Sequence, residues 1–568
     1  MAQIQFVSVI FVLGSFLTGS VQAYISISTV LPNATVTYSN CMLHDLKNMR
    51  NQTFDPSGLI ITHCYIPELP NAFFIRLKNL TLLEIVESKL LTIGDFALNG
   101  MPGLKSLSLI KNNISEVKSW SADDMKNLTN LDLRRNQIKA IGTKDFRRFP
   151  NLQKLNLAVN FITDLEPSLF SYIPNLKYLN LGRNTIKSVN AFAFRGLSKL
   201  TQLALHHNQL ENIDKNAFLT NANLRSLRLE GNRLAAIDPV LIQSIPRLAH
   251  LNLSHNSLEE LEDGTFNKSV ELKGLDLSHN KFENITLNMF SGLQVLEMLN
   301  FSTNSIHHIH PLAFTNLNHM IYFDLSLNNL VTLPSGIFEY FRQVESMNLS
   351  RNELSDIHWN VFQQMEALLI LDLSSNNLHT DSFLHRLMPS TQYLDLSNNL
   401  FRAMNLSKVH SGRINLIGNP WDCQWLVSQM ANAPETIQFG SNYTVDTKGQ
   451  MLDVLGIDCY QDMALRSIIL MKSAKCAGSE HMDNATNTPQ TTRHRLLHLR
   501  LSHNSFDQKA VLLWLFAAVS IVFLAVQGGR KVLKRSEMKS EQLRQMNHER
   551  VINELEGLYE RPQSKNLR

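Results

Sequence analysis

Histidine is the side chain in this sequence best suited to bind a metal or to change its charge near neutral pH. The densest group is His307, His308 and His310, which are candidate metal ligands. His255 and His279 each stand directly before an asparagine and are separated by 24 residues. On neighbouring strands they would lie about 5 Å apart and could form a zinc site or a pH-sensitive site. The alternative is that Ser-His-Asn is only a common variant of a repeated pattern.

Motifs of catalysis are missing from the sequence. It contains no phosphate-binding loop, no nucleophile elbow and no zinc-protease helix. We therefore predict that the protein is not an enzyme, holds no cofactor and has no metal site. The formal net charge of +4 over 568 residues is too small to indicate a nucleic-acid partner. The hydrophobic content of 44% is ample for a large core.

A period of 24 residues runs from Leu104 to Leu378 in the pattern Leu-x-x-Leu-x-Leu-x-x-Asn-x-Leu/Ile/Phe. Its asparagines are Asn112, Asn136, Asn160, Asn184, Asn208, Asn232, Asn256, Asn280, Asn304, Asn328, Asn352 and Asn376. A second marker is Phe146, Phe170, Phe194, Phe218, Ile242, Phe266, Phe290, Phe314, Phe338 and Phe362. A third is Val117, Ile141, Leu165, Val189, Ile213, Ile237, Leu261, Ile285, Ile309, Leu333 and Ile357. Three markers that share one period indicate a stacked repeat architecture.

This pattern resembles the leucine-rich repeat in its extracellular 24-residue form. The predicted fold is an α/β solenoid, a horseshoe with a parallel sheet on its concave face. In Leu-x-Leu the leucines alternate with outward residues, so each repeat, or coil, supplies a short strand with one buried face. A buried asparagine amide satisfies the backbone groups at the bend that follows the strand. The phenylalanine fills the convex side, and only stacking of the coils completes the core.

Cysteines stand at both ends of the repeats, which occupy residues 80–417. We predict that Cys41 and Cys64 form a disulfide that closes an N-terminal cap over residues 24–79, with free thiols as the alternative. Cys64 stands at the asparagine position of its coil. The string from Gly418 to Cys423 resembles the C-terminal cysteine cap of extracellular leucine-rich-repeat proteins, predicted here over residues 418–477. Trp425 replaces the second cysteine of that family pattern.

The C-terminal cap leaves an odd number of cysteines to pair. The resemblance implies a disulfide between Cys423 and a later cysteine, and Cys459 is our first choice. Cys476 would then be free or bridge two chains. The protein is therefore expected to be able to form a homodimer or heterodimer.

The two ends of the chain indicate export and membrane anchoring. Residues 1–23 are typical of a cleaved signal peptide. Residues 478–509 are predicted to form a stalk, 510–529 a transmembrane helix and 530–568 a short cytoplasmic tail. This order predicts a single-pass protein of the plasma membrane with extracellular repeats. Predicted glycosylation sites are Asn33, Asn51, Asn79, Asn113, Asn127, Asn252, Asn267, Asn284, Asn300, Asn348, Asn405, Asn442 and Asn484.

Residues 41 to about 476 resemble the ectodomains of Toll-type receptors, insect leucine-rich-repeat adhesion proteins and mosquito leucine-rich-repeat immune proteins. The resemblance implies an immune receptor or co-receptor that binds a protein or microbial ligand and signals through a partner. A cell-adhesion protein of the same class is the alternative. The predicted tail is too short to fold an intracellular Toll-type signalling domain.

The expected binding surface is the concave face in the N-terminal half of the repeats. Residues flanking the strand leucines there include Arg134, Lys154, Tyr178, His206, Arg228 and His250. The small residues Ala158, Gly182 and Ala204 should leave a shallow hollow between them, and acidic residues are fewer. We therefore expect an anionic ligand. The alternative is that this face is only solvated and that a convex edge or a cap binds.

Overall fold

The structure is a computed structural model that describes residues 35–50, 56–94, 96–117, 125–387, 390–406, 412–430, 437–438, 451–454 and 457–460. All of them belong to one unit of the chain, Met1–Gly478. The predicted signal peptide, stalk, transmembrane helix and cytoplasmic tail lie outside the described residues. Among the described residues, no helix has both the length and the apolar character needed to cross a bilayer.

In the described part of the chain, eighteen strands form one parallel sheet, in which each strand pairs with the strand of the next coil. In chain order they are Thr35–Ser39, Gly58–Thr62, Leu82–Val86, Ser106–Ser108, Asn130–Asp132, Lys154–Asn156, Tyr178–Asn180, Gln202–Ala204, Ser226–Arg228, His250–Asn252, Gly274–Asp276, Met298–Asn300, Tyr322–Asp324, Ser346–Asn348, Ile370–Asp372, Tyr393–Asp395, Arg413–Asn415 and Ile437–Gln438. This sheet confirms the predicted leucine-rich-repeat solenoid.

Smaller elements complete the coils. Three two-strand parallel pairs join Glu68–Leu69 with Thr92–Ile93, Ser188–Val189 with Asn212–Ile213, and Asn284–Ile285 with His308–Ile309. Met451–Val454 and Ile457–Tyr460 form an antiparallel pair. Within the described residues the helices are Pro239–Gln243 and Cys423–Met430, with 3-10 helices at Leu43–Arg50, Met125–Asn127 and Leu384–Arg386. Asp238 caps the first of these helices by accepting a hydrogen bond from the Val240 amide.

The asparagine at the bend of each coil ties that coil to the one before it. The Oδ1 atom of Asn136 accepts a hydrogen bond from the Ile114 amide at 3.2 Å. Its Nδ2 atom donates to the carbonyls of Leu109 and Leu133 at 2.8 and 2.9 Å. The same set recurs along the ladder as far as Asn419. The predicted role of these amides is confirmed: each satisfies backbone groups that would otherwise be buried without partners.

The phenylalanines of the second marker pack against one another between coils. Ring centroids of Phe146 and Phe170 are 6.1 Å apart, and those of Phe170 and Phe194 are 6.2 Å apart. Ile242 interrupts the series within the helix Pro239–Gln243, and the stack resumes at Phe290 and Phe314 with a centroid distance of 5.8 Å. These rings are buried and, together with Ile242, form the part of the core that lies opposite the sheet.

The N-terminal cap continues the sheet and carries the predicted disulfide. Cys41 and Cys64 are bonded, with their Cα atoms 4.4 Å apart, and both are buried. Cys64 and Ser88 take the ladder position of their coils: the Cys64 amide donates to Ser88 Oγ at 3.3 Å. The Ser88 amide donates to Asn112 Oδ1 at 2.9 Å. The ladder of hydrogen bonds therefore continues into the cap, with Cys64 and Ser88 in place of asparagine.

Two tryptophans pack near the C-terminal end of the core. Trp421 is buried, and its ring stacks on Trp425 with a centroid distance of 4.6 Å. Their indole N–H groups donate to the carbonyls of Leu416 and Met404 at 3.3 and 3.1 Å. Trp425, which replaces a cysteine of the family pattern, thus covers the end of the core. Cys423 is buried and disulfide-bonded. The predicted pairing with Cys459, and the state of Cys476, lie outside the described side chains.

Candidate ligand-binding face of the sheet

We call the solvent side of the parallel sheet the sheet face. In each coil it carries three outward positions, which lie before, between and after the two buried strand leucines. In the coil of Asn130–Asp132 these positions are Asn130, Asp132 and Arg134, around the buried Leu131 and Leu133. Because parallel strands keep register, each position forms a row that crosses the sheet from coil to coil.

The C-terminal half of the sheet face is nearly uniform. Asparagine or aspartate occupies the middle row from Asn252 to Asn415, and serine occupies the third row in the coils from Ser254 to Ser397. The middle side chain accepts a hydrogen bond from the serine amide, at 2.9 Å for Asn252 and Ser254 and 3.0 Å for Asp276 and Ser278. This half therefore satisfies its own polar groups through a repeated local turn.

The N-terminal half breaks this uniformity. In the third row the serines give way to Arg134, Ala158, Gly182, His206 and Glu230, and in the middle row Ala204 and Arg228 interrupt the series. The structure places all six predicted binding residues on the sheet face, five of them in this N-terminal half and His250 on the first strand of the uniform half. Arg134, Lys154 and Arg228 are exposed, Tyr178 and His250 are half-buried, and His206 is buried.

Two of the predicted cationic anchors have acidic partners on the same face. Arg134 Nε lies 3.4 Å from Asp132 Oδ2. The Arg228 guanidinium binds Glu230 through its Nε at 2.9 Å and through a second nitrogen. Sequence reasoning counted these acids but missed the pairing. The signal was present, because residues two apart on a strand share a face. The sheet face is consequently closer to neutral than expected.

The hollow predicted around Gly182 is filled. The His206 ring lies over this glycine, so closely that a Cβ on Gly182 would stand 2.1 Å from the ring. The prediction of an open hollow was wrong because a glycine creates space that the side chain of the next coil can enter. Burial, and then the positive charge of Arg228, lower the pKa of His206 to about 4. His206 is therefore neutral at physiological pH.

The histidine pair proposed as a zinc or pH site does meet. The rings of His255 and His279 stack with centroids 3.9 Å apart and planes inclined by 12°. In stacked rings the nitrogen lone pairs lie in parallel planes and do not converge on one point. This arrangement therefore does not favour a metal ion bound by both histidines. Burial, followed by the charge of His255, lowers the pKa of His279.

The dense histidine group disperses in the structure. His307 and His308 are exposed, while His310 Nδ1 accepts a hydrogen bond from the Leu312 amide at 3.2 Å. Among the residues that the structure describes, no group of three or more His, Cys, Asp or Glu could hold a metal ion. These histidines thus face different neighbours and form no common site there.

Comparison with known proteins defines the class to which this solenoid belongs. The family model described as "Leucine rich repeat" matches overlapping segments at 78–138, 102–158, 150–210, 201–258, 246–306, 295–354, 322–378 and 342–401. The chain therefore belongs to the leucine-rich-repeat family. No curated protein sequence matches it.

Solved structures give particular neighbours within this class. A leucine-rich-repeat protein of Leptospira interrogans is 24% identical with a TM-score of 0.59, and the match covers 71% of this chain and 99% of the other. Glycosylated Toll in its complex with Spatzle from Drosophila is 18% identical with a TM-score of 0.60, covering 76% and 67%. The LRIM1/APL1C complex is 20% identical with a TM-score of 0.49, covering 94% and 82%. At these identities the first two structures show a likeness of fold alone.

Proposed function

We propose that this chain is a type I membrane receptor or co-receptor of insect innate immunity. Its ligand, a protein or a microbial surface, binds the N-terminal half of the sheet face. The observation that carries the proposal is the break in the serine row between Arg134 and Glu230, together with the break in the asparagine/aspartate row at Ala204 and Arg228. A uniform polar face needs no such departure, whereas a binding face needs side chains of varied size, charge and exposure.

Family membership supports a binding role rather than catalysis. Leucine-rich-repeat proteins with the Toll fold serve as protein-interaction scaffolds, and nothing in the described residues indicates catalysis. The Toll–Spatzle complex is described as a hub in Drosophila development and innate immunity. We carry the immune role to this chain as part of the proposal, together with its predicted membrane anchor.

The ion pairs of the sheet face are compatible with an acidic ligand. Arg134 and Arg228 are about half exposed, with side-chain exposures of 49% and 53%. An ion pair near the surface stabilises a protein by only about 0–1 kcal/mol, so a ligand carboxylate can replace Asp132 beside Arg134 at little cost. Glu230 is buried, so Arg228 keeps this partner when a ligand binds, because displacing it would leave a buried charge unpaired. Lys154 lies exposed on the strand next to the coil of Arg134 and adds a further cation.

The test distinguishes recognition of microbes from cell adhesion. Insect cells displaying the full chain with an external tag are mixed with heat-killed Gram-negative and Gram-positive bacteria, and separately with one another. The proposal expects bacteria to bind these cells and not mock-transfected cells. It also expects the messenger of this protein to rise in blood cells after infection. Cells that aggregate with one another and ignore bacteria, without induction on infection, would favour adhesion.

A further inference from the structure

A second polar surface lies beside the sheet, at the edge where the chain enters each strand. It is a groove of about 520 Å³ that crosses the coils between Gly103 and Lys199. Lys105, Lys177 and Lys199 line it, and no acidic residue does. We call it the lysine groove. It is separate from the sheet face and has no part in the proposed function.

The three lysines lack carboxylate partners within the described part of the chain. Lys199 Nζ instead donates a hydrogen bond to Asn175 Oδ1 at 2.7 Å. Further along the same edge two cations have carboxylate partners: Lys273 lies 2.6 Å from Glu297, and Arg225 lies 3.3 Å from Glu271. Arg247, on the same edge, donates a hydrogen bond to Asn223 Oδ1 at 2.7 Å. The lysine groove is therefore a stretch of this edge where positive charge has no carboxylate partner among the described residues, and an anion approaching it meets no repulsion from a lining carboxylate.

Fixed polar groups lie between the lysines. The Nδ2 atoms of Asn127 and Asn151 each donate to a backbone carbonyl of the preceding coil at 2.9 Å, those of Pro102 and Lys126. Asn175 does the same with Pro150 at 3.1 Å. These bonds hold the amides in a row. Side chains that are already ordered lose little conformational entropy when they bind a ligand.

We propose that the lysine groove binds a sulfated polysaccharide. Sulfate groups match the ammonium groups of the lysines, and sugar hydroxyls match the row of amides and hydroxyls. Lys105 and Lys177 are three coils apart, about 14 Å at the spacing of parallel strands, so the ligand must be a polymer rather than a single anion. No lining residue is aromatic, and single-stranded nucleic acids depend on aromatic stacking.

The test measures binding of the full chain, purified from insect cells in a non-ionic detergent, to immobilised heparin and to single-stranded RNA. The variant carries Lys105→Gln, Lys177→Gln and Lys199→Gln. The matched control carries Lys139→Gln, Lys187→Gln and Lys215→Gln, three exposed lysines outside the groove. We expect wild type and control to bind heparin in a salt-dependent manner and the groove variant to bind roughly tenfold more weakly. We expect RNA to bind less tightly than heparin.

Equal affinity of the groove variant and wild type for heparin would overturn the proposal. Equal weakening of both variants would also overturn it, since only net charge would then matter. Tighter binding of RNA would replace the polysaccharide with a nucleic acid. Asn127 begins a predicted sequon, so each measurement is repeated after enzymatic removal of N-linked glycans. Heparin binding that appears only after this removal would overturn the proposal for the native protein.

Discussion

His206 shows how a side chain of the sheet face becomes part of the packed structure. It enters the space above Gly182, and its Nδ1 atom is buried without a hydrogen-bond partner among the described residues. Glu230 Oε2 in the next coil is also buried without a hydrogen-bond partner among the described residues, although the other oxygen of this carboxylate binds Arg228. An unpaired buried polar group costs free energy, and a buried charge costs more. The neutral form of His206 is therefore the form that the fold accepts.

The shifted pKa of His206 predicts a loss of stability in mild acid. Its folded-state pKa of about 4 lies below the ordinary value of 6.5, so protons bind the unfolded chain first as the pH falls. The contribution of neutral His206 to the free energy of unfolding is fully present above pH 6.5 and is lost as the pH falls towards 4. The fall in melting temperature from pH 7.5 to pH 5 should be smaller in His206→Gln than in wild type. His307→Gln, an exposed control, should match wild type, and an unchanged drop in His206→Gln would contradict the account.

The asparagine ladder predicts that two asparagines of the same coil contribute very differently to the stability of the protein. Asn160 is buried, accepts from the Ile138 amide and donates to the Leu133 and Leu157 carbonyls. Asn160→Ala leaves these buried groups unpaired and should destabilise the protein by about 2–4 kcal/mol. Asn151→Ala removes one exposed bond and should cost less than about 1 kcal/mol. Chemical denaturation of both variants measures the difference, and similar losses would refute the assigned role.

At the scale of the element, the repeat pattern determines what could be predicted. Strand, ladder amide and phenylalanine recur at fixed spacing because each meets the same neighbour in every coil, so the sequence alone predicts them. The filled space at Gly182 and the ion pairs of the arginines depend instead on which residues happen to be neighbours on the sheet face. Those residues differ from coil to coil, so the repeat pattern does not predict their contacts. Trp425 was predicted only as a departure from the family pattern, because its stacking on Trp421 has no counterpart in the repeats.

The stacked core predicts which substitutions a single coil can tolerate. Leu253 and Phe266 are buried, at 0% and 1% exposure. Leu253→Asp or Phe266→Asp places an unpaired charge in the core and should abolish export of the protein to the surface of insect cells. His255→Asp is the control, since this residue is exposed in the same coil as Leu253. Surface labelling of intact cells, with immunoblots of the cell lysate, measures export. Normal export of both core variants would contradict the stacked architecture.

At the scale of the whole molecule, the disulfides and the predicted anchor decide how the repeats are displayed. The Cys41–Cys64 bond closes one end of the core, and Trp421, Trp425 and the disulfide-bonded Cys423 lie at the other. A solenoid needs such caps because its terminal coils have no neighbour on one side. The assembled sheet face and the lysine groove then offer two separate surfaces, one of mixed character and one cationic.

If Cys423 pairs with Cys459, we predict that Cys476 links two chains in a covalent dimer. The thiol would then lie close to the predicted stalk, where two chains anchored side by side in a membrane can meet. Wild type should migrate at twice the monomer mass on a non-reducing gel, and Cys476→Ser should migrate as monomer. Reducing agent should convert the wild-type dimer to monomer. A wild type that runs only as monomer without reducing agent would rule out the interchain bond.

The most direct test of the proposed receptor function is charge reversal on the sheet face. Arg134→Glu, Lys154→Glu and Arg228→Glu are combined in the full chain. The control combines Lys139→Glu, Lys187→Glu and Lys215→Glu, which change the net charge equally away from that face. Both proteins are displayed on insect cells at equal surface levels, and bound heat-killed bacteria are counted by flow cytometry. The account predicts at least about tenfold weaker binding for the sheet-face variant and near wild-type binding for the control. Equal binding by the two variants would contradict it.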